Sequence, residues 1–186
     1  MRDPKRVAIL VSGRGSNMRA LIEHEHDYQV VLVASNKPEA PGLQWASERG
    51  LDTWAADSKG MSKEAFDHAL SAELEHRSVG TVALAGFMRI LSPWFVEEWR
   101  GRILNIHPSL LPEYRGLDTH ARAIAAGDTV GGCSVHLVTE ELDAGEVLGQ
   151  AEVLIERGDT PETLQKRVLA AEHILYPQVL SEFVRR

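Results

Sequence analysis

Short apolar runs alternate with stretches of helical period along most of this 186-residue chain, and no other feature narrows its fold so far. An apolar run of four to eight residues suits a strand covered on both faces, and a repeat near 3.6 suits a helix lying on such a sheet. The strand-like runs are "RVAILVS" (6–12), "YQVVLVASN" (28–36), the short "LDTWAA" (51–56), "VGTVALAG" (79–86) and "GRILNIH" (101–107). Helix-like segments fall at 17–25, 40–50, 62–77, 92–100 and 119–126. Met18, Leu21 and Ile22 share one face of the first. Ala65, Phe66, Ala69, Leu70 and Leu74 share one face of the third, with Ser62 as its N-cap. "GGCSVHLVT" (131–139) and "EVLGQAEVLI" (146–155) pair as late strands. A long helix, 160–186, closes the chain, with Thr160 as cap, Pro161 at its first position and Pro177 predicted to kink or divide it. The expected fold is α/β: a three-layer, Rossmann-like, mostly parallel sheet with helices on both faces, an antiparallel extension near the C-terminus, and a single domain over 1–186. Ligands of such sheets sit beyond the carboxyl ends of the strands.

Charge and cysteine content narrow the partners. Twenty Lys and Arg stand against 27 Asp and Glu, a net charge of −7, and no basic block stands out. Neutralising a phosphate backbone needs clustered cations, so a nucleic-acid partner is not expected. The lone cysteine, Cys133, permits neither an intrachain disulfide nor a cysteine-based metal cage, and suits a reducing compartment. No apolar run approaches the roughly 20 residues that span a bilayer. The first strand begins within a few residues of Met1, leaving no room for a signal peptide. A cytoplasmic protein acting on small molecules, without a membrane partner, is the expectation. His24 and His26 alternate with acids in "EHEHD", which reads as a solvated helix end rather than a metal site. Trp45, Trp54, Trp94 and Trp99 read as packing residues, and His68, His76, His120 and His136 show no partner in the sequence.

Two stretches carry chemistry. "SGRGSN" (12–17) follows a buried strand and opens a helix. Gly13 and Gly15 permit positive φ and close approach of a ligand, the helix N-terminus offers unpaired N–H groups, and Ser16 and Asn17 add polar side chains. The turn lacks the lysine of a P-loop and, with Met18 at the third-glycine position, the dinucleotide fingerprint. A single phosphate monoester and a plain connecting turn are the readings left. In "LNIHP", Asn105 and His107 are two apart and project to one side of an extended segment, with Pro108 favouring that conformation. A carboxamide can donate to a developing oxyanion, and an imidazole can donate or move a proton. A histidine that only hydrogen-bonds in the core would leave the same trace. Asp143, in the glycine-containing loop "EELDAGE", would favour the imidazolium form if it lay near His107, and is otherwise a solvated loop acid.

Together, "SGRGSN" (12–17), "LAGFMRILS" (84–92), "LNIHPSLLP" (104–112), "SVHLVTEELDAG" (134–145) and "EHILYP" (172–177) resemble, in order and separation, the phosphoribosylglycinamide formyltransferase family of folate-dependent formyltransferases. The resemblance runs from roughly Val7 to Pro177. It implies transfer of a formyl group from 10-formyltetrahydrofolate, the co-substrate, to the amine of glycinamide ribonucleotide in purine synthesis, with no metal, by a monomer or homodimer. It implies that Gly15, Ser16 and Asn17 hold the substrate phosphate and that Glu172 contacts the glycinamide side. Met88, Arg89, Ile90 and Leu91 match the segment lining the pterin pocket, with Asn105 beside it. Lys63 falls where the family usually has an arginine that meets the folate, and keeps the charge without the planar fork. Asn105, His107 and Asp143 match the catalytic trio. Ala144 stands where a second glycine is usual, which would stiffen the loop around Asp143. Methionyl-tRNA formyltransferase shares the trio but carries a further tRNA-binding domain. The formyltetrahydrofolate hydrolase catalytic domain and a non-catalytic phosphate-binding module are the rival readings.

Overall fold

The computed structural model describes residues 3–24, 26–57 and 59–186. Its centre is a seven-stranded sheet. The strands are β1 (Arg6–Val11), β2 (Gln29–Ser35), β3 (Thr53–Ala55), β4 (Thr81–Leu84), β5 (Ile103–His107), β6 (Val130–Leu137) and β7 (Val147–Leu154). They lie in the order β3-β2-β1-β4-β5-β6-β7. Strands β1 to β5 pair in parallel, and β6 and β7 are antiparallel. The expected architecture, including the late antiparallel pair, is the one observed.

Strand β1 explains the two-sided cover. Val7 to Val11 are all fully buried. Val7, Ile9 and Val11 face a cluster with Met18 and Leu21 of α1 (Ser16–Glu23), Leu43 of α2 (Pro41–Ser47), and Leu164 and Tyr176 of α6 (Pro161–Val184). Ala8 and Leu10 face a second cluster with Phe66 and Leu70 of α3 (Lys63–His76) and Phe95 of α4 (Pro93–Glu98). Side chains alternate across a strand, so a strand covered on both faces must be apolar at every position. A fifth helix, α5 (Thr119–Ala126), precedes β6.

Three local expectations change. The first helix begins at Ser16 and is described to Glu23; Glu25 lies outside the described residues. In α3, Ala65 is exposed and Ala69 half-buried, while Asp67 is fully buried and accepts from the Ser92 N–H at 2.5 Å. That bond lets a carboxylate occupy a face that periodicity assigned to alanine. Helix α6 runs through Pro177 without dividing. Val168, Tyr176, Val179 and Leu180 are buried against the sheet, and this packing outweighs the backbone bond that proline forfeits.

Candidate active site

Three neighbouring strands end at one edge of the sheet. Parallel register sets Leu10 beside Leu84 and Leu84 beside Asn105. The glycine turn after β1, the segment after β4 and the end of β5 therefore leave the sheet together, where β1 has β2 on one side and β4 on the other.

Asn105 and His107 lie on the face of β5 opposite Leu104 and Ile106, which face the first apolar cluster. Antiparallel pairing puts His136 opposite Asn105 and Ser134 opposite His107. The Asn105 Nδ2 lies 3.3 Å from His136 Nε2, and the His136 Nδ1 lies 2.9 Å from the Leu137 carbonyl. A carbonyl only accepts, so Nδ1 of His136 carries a proton. His107 is 6% exposed; its Nε2 donates to the carbonyl of Tyr114 at 2.9 Å, and its Nδ1 is 3.4 Å from Asp143 Oδ2.

Asp143 reaches this strand pair from the loop between β6 and β7, with a left-handed backbone at φ 49°. Its Oδ2 accepts from the Gly116 N–H at 3.0 Å, and its Oδ1 lies 3.6 Å from His136 Nε2. The carboxylate thus stands between two imidazoles. Burial pushes its pKa up, but the His136 ring, the Gly116 N–H and the charge of His107 together outweigh burial and leave it below the ordinary carboxylate range. His120, half-buried on α5, is pushed down by burial and then by the charge of His107.

The glycine turn is held by backbone geometry. Gly15 caps α1 in the left-handed conformation, φ 71° and ψ 44°, without a side-chain cap. Gly13 does not take a positive φ; its carbonyl accepts from the Gly42 N–H at 2.9 Å, and a Cβ on Gly42 would lie only 2.9 Å from that oxygen. The requirement for glycine thus falls on Gly15 and on Gly42 of α2, the latter unmarked in the sequence. Ser16 is half-buried at the first position of α1. Asn17 is buried, and its Nδ2 donates to Glu172 Oε2 on α6 at 2.7 Å, while its Oδ1 is buried without a partner. Glu172 is 6% exposed; burial pushes its carboxyl up, against the pull of the Asn17 hydrogen bond. Two residues expected on the substrate, 155 positions apart, therefore touch each other.

The segment after β4 is fixed from below. The Ser12 hydroxyl accepts from the Met88 N–H at 2.7 Å and donates to Asn36 Oδ1 at 2.6 Å. The Arg89 guanidinium lies 4.9 Å from the centre of the Phe66 ring and donates to the carbonyl of Ser62 at 3.2 Å, one residue before Lys63. Met88 and Ile90 are 74% and 71% exposed beside this polar edge, whereas Leu91 turns inward and joins the second apolar cluster.

Of the expected residues, Asn105, His107 and Asp143 converge, and Met88, Arg89 and Ile90 line the same edge. His136 shows no partner in the sequence because its partners arrive from other elements. A signal existed: Ser134 and His136 repeat the two-residue spacing of Asn105 and His107. His68, too, has a partner, with its ring centre 3.7 Å from that of Trp94. Among the described residues no group of three His, Cys, Asp or Glu could hold a metal ion, and no helix is long and apolar enough to cross a membrane.

Known proteins match most of this chain. The formyl transferase family profile aligns with residues 5–180. The phosphoribosylglycinamide formyltransferase of Escherichia coli (strain K12) is 45% identical over 182 residues, covering 95% of this chain and 86% of that protein. The bovine trifunctional purine biosynthetic protein adenosine-3 is 47% identical over 180 residues; the chain spans only 18% of its length. The crystal structure of the phosphoribosylglycinamide formyltransferase from Brucella melitensis superposes with a TM-score of 0.92 at 48% identity, over 98% of this chain and 96% of that one. With sequence, fold and the clustered polar edge in agreement, the chain belongs to the formyl transferase family.

Proposed function

We infer that the protein is a phosphoribosylglycinamide formyltransferase, moving a formyl group from 10-formyltetrahydrofolate to the amine of glycinamide ribonucleotide. One observation carries the chemistry: Asp143 stands 3.4 Å from His107 Nδ1, beside Asn105, at the sheet edge where the Gly15 turn also ends.

The substrate phosphate suits the N-terminus of α1, where Gly15 leaves backbone N–H groups uncovered by any side-chain cap and Ser16 adds a hydroxyl. Asn17 acts there less by direct contact than by its bond to Glu172, which aligns that carboxyl for the glycinamide side. The pterin suits the exposed side chains of Met88 and Ile90 and the backbone of residues 88–91, with Arg89 and Lys63 supplying positive charge for the folate acid groups. Leu91 contributes by anchoring that segment in the core.

In the reaction the amine nitrogen attacks the formyl carbon, a C–N bond forms and the carbonyl oxygen takes up negative charge. The Asn105 amide and the Nδ1–H of protonated His107 stabilise that oxygen. His107 Nε2 is committed to Tyr114, so Nδ1, 3.4 Å from Asp143, is the nitrogen left to share its hydrogen with the developing oxyanion. Asp143, whose ionised form is favoured by the donors around it, faces the ring and passes the amine proton through water to the departing folate nitrogen as its bond to the formyl carbon breaks. Side-by-side binding of both substrates supplies the orientation. The chain acts as one domain, residues 1–186, on small molecules in the cytoplasm, as a monomer or homodimer and without nucleic-acid or membrane partners.

Incubating the protein with both substrates should give formylglycinamide ribonucleotide and tetrahydrofolate by mass spectrometry. Formate released without the amine acceptor would identify a hydrolase, and no turnover a binding module. His107→Ala should lower kcat by about a hundredfold or more with KM little changed, the usual loss for one good oxyanion donor of about 3–4 kcal/mol.

A further inference from the structure

His107 is held by a loop that neither the spacing of the trio nor the family resemblance singled out. Its Nε2 donates to the carbonyl of Tyr114. Tyr114 takes a left-handed backbone, φ 52°, which is strained for a non-glycine residue and persists only where its surroundings hold it. The start of the loop is tied to the sheet: the Ser134 hydroxyl donates to the Ser109 carbonyl at 2.6 Å and accepts from the Leu111 N–H at 3.0 Å. Its far end is tied by the Tyr114 side chain. The phenol donates to Asp128 Oδ2 at 2.5 Å, reaching the turn between α5 and β6, and Asp128 accordingly holds the phenol above its ordinary pKa. The Arg122 guanidinium lies 5.3 Å from the centre of the same ring and donates to the carbonyls of Arg115 and Leu117 at 2.7 and 3.2 Å. Two residues after Tyr114, the Gly116 N–H donates to Asp143. One loop therefore brings an acceptor to the far side of His107 and a donor to its carboxylate partner.

We propose that Tyr114 and Asp128 form a positioning pair for His107: their hydroxyl–carboxylate contact holds the Tyr114 carbonyl against Nε2 and so turns Nδ1 toward Asp143. Both ring nitrogens then face acceptors, and only an imidazolium can donate to both at once. Without the contact, the loop loses its tie to the α5–β6 turn, the strained backbone at 114 relaxes, and Nε2 is freed to take the place of Nδ1. The effect on turnover rests on the formyl-transfer reading; the ring orientation does not.

The test uses the full chain with Tyr114→Phe and, separately, Asp128→Ala. Nitrogen-15 NMR reports the protonation pattern of the His107 ring without substrate, and steady-state kinetics across pH report turnover. Both variants should shift the His107 ring resonances. Both should lower kcat by about tenfold to a hundredfold, as a misplaced catalytic group does, with KM for each substrate within about twofold. The pH profile of kcat should move in parallel. If both variants keep wild-type His107 resonances, kcat and pH profile, even with a lowered unfolding temperature, the pair only staples the loop and the proposal is overturned. Should Tyr114→Phe not fold, Asp128→Ala decides alone, since it leaves the ring in place. Shifted resonances in a protein whose wild type transfers no formyl group would uphold the pair and sink the functional reading instead.

Discussion

Asp143 couples the candidate site to pH. Its folded pKa lies below the ordinary carboxylate value, so it releases its proton more readily folded than unfolded. Its charge therefore adds stability that is complete above the ordinary carboxylate range and is lost as pH falls through the depressed value. Asp143→Asn removes that contribution and the negative charge beside His107 and His136. Turnover should fall and its pH profile should change, and the acid-side fall in stability should shrink. Wild-type turnover and an unchanged profile would refute the His107–Asp143 coupling. The trio's residue types and the two-residue spacing at Asn105 and His107 could be read along the chain. That Asp143 meets two imidazoles could not, because His136 comes within reach only through the register of an antiparallel strand.

At the scale of the element, the start of α1 shows what a glycine-rich motif does and does not specify. Gly15 takes a left-handed cap, where a Cβ would lie 3.0 Å from Met18 Cε; Gly13 takes none and faces open space. Gly15→Ala should cost about 1–2 kcal/mol in urea unfolding. Gly13→Ala should leave the unfolding free energy within about 0.5 kcal/mol, yet raise KM for the phosphate-bearing substrate, because its new methyl group projects into the open space beside the turn. Equal destabilisation by both would show that the turn is a structural unit and not a seat. Helix α6 makes the complementary point. Its capping box at Thr160 and Thr163 and its Pro161 mark the start in sequence, but continuity past Pro177 depends on the sheet beneath it.

For the molecule as a whole, α6 and the sheet edge are one mechanical unit. The hydroxyl of Tyr176, fully buried, lies 3.0 Å from the carbonyl of Leu84 and 3.1 Å from that of Leu104, joining the end of β4 to β5. The same helix brings Glu172 to Asn17. Tyr176→Phe keeps the packing and removes the one donor these two buried carbonyls share, so it should lower unfolding free energy by about 1–3 kcal/mol, with kcat close to wild type at a temperature where the variant is folded. A large loss of kcat instead would mean that the edge carrying Asn105 moves when this tie is cut.

Sequence by itself determined the layer order, because hydrophobic period and apolar strands covered on both faces are properties of neighbouring residues. It also determined which residue types could carry the chemistry. Tertiary structure decided which of them meet: Asp143 with two histidines, Asn17 with Glu172, Tyr114 with Asp128 and His107, Gly42 with the turn at Gly13. Those contacts join segments up to 155 residues apart, set by strand register and helix docking. Local propensity carries no information about either, since both are fixed only when the two cores close on the sheet.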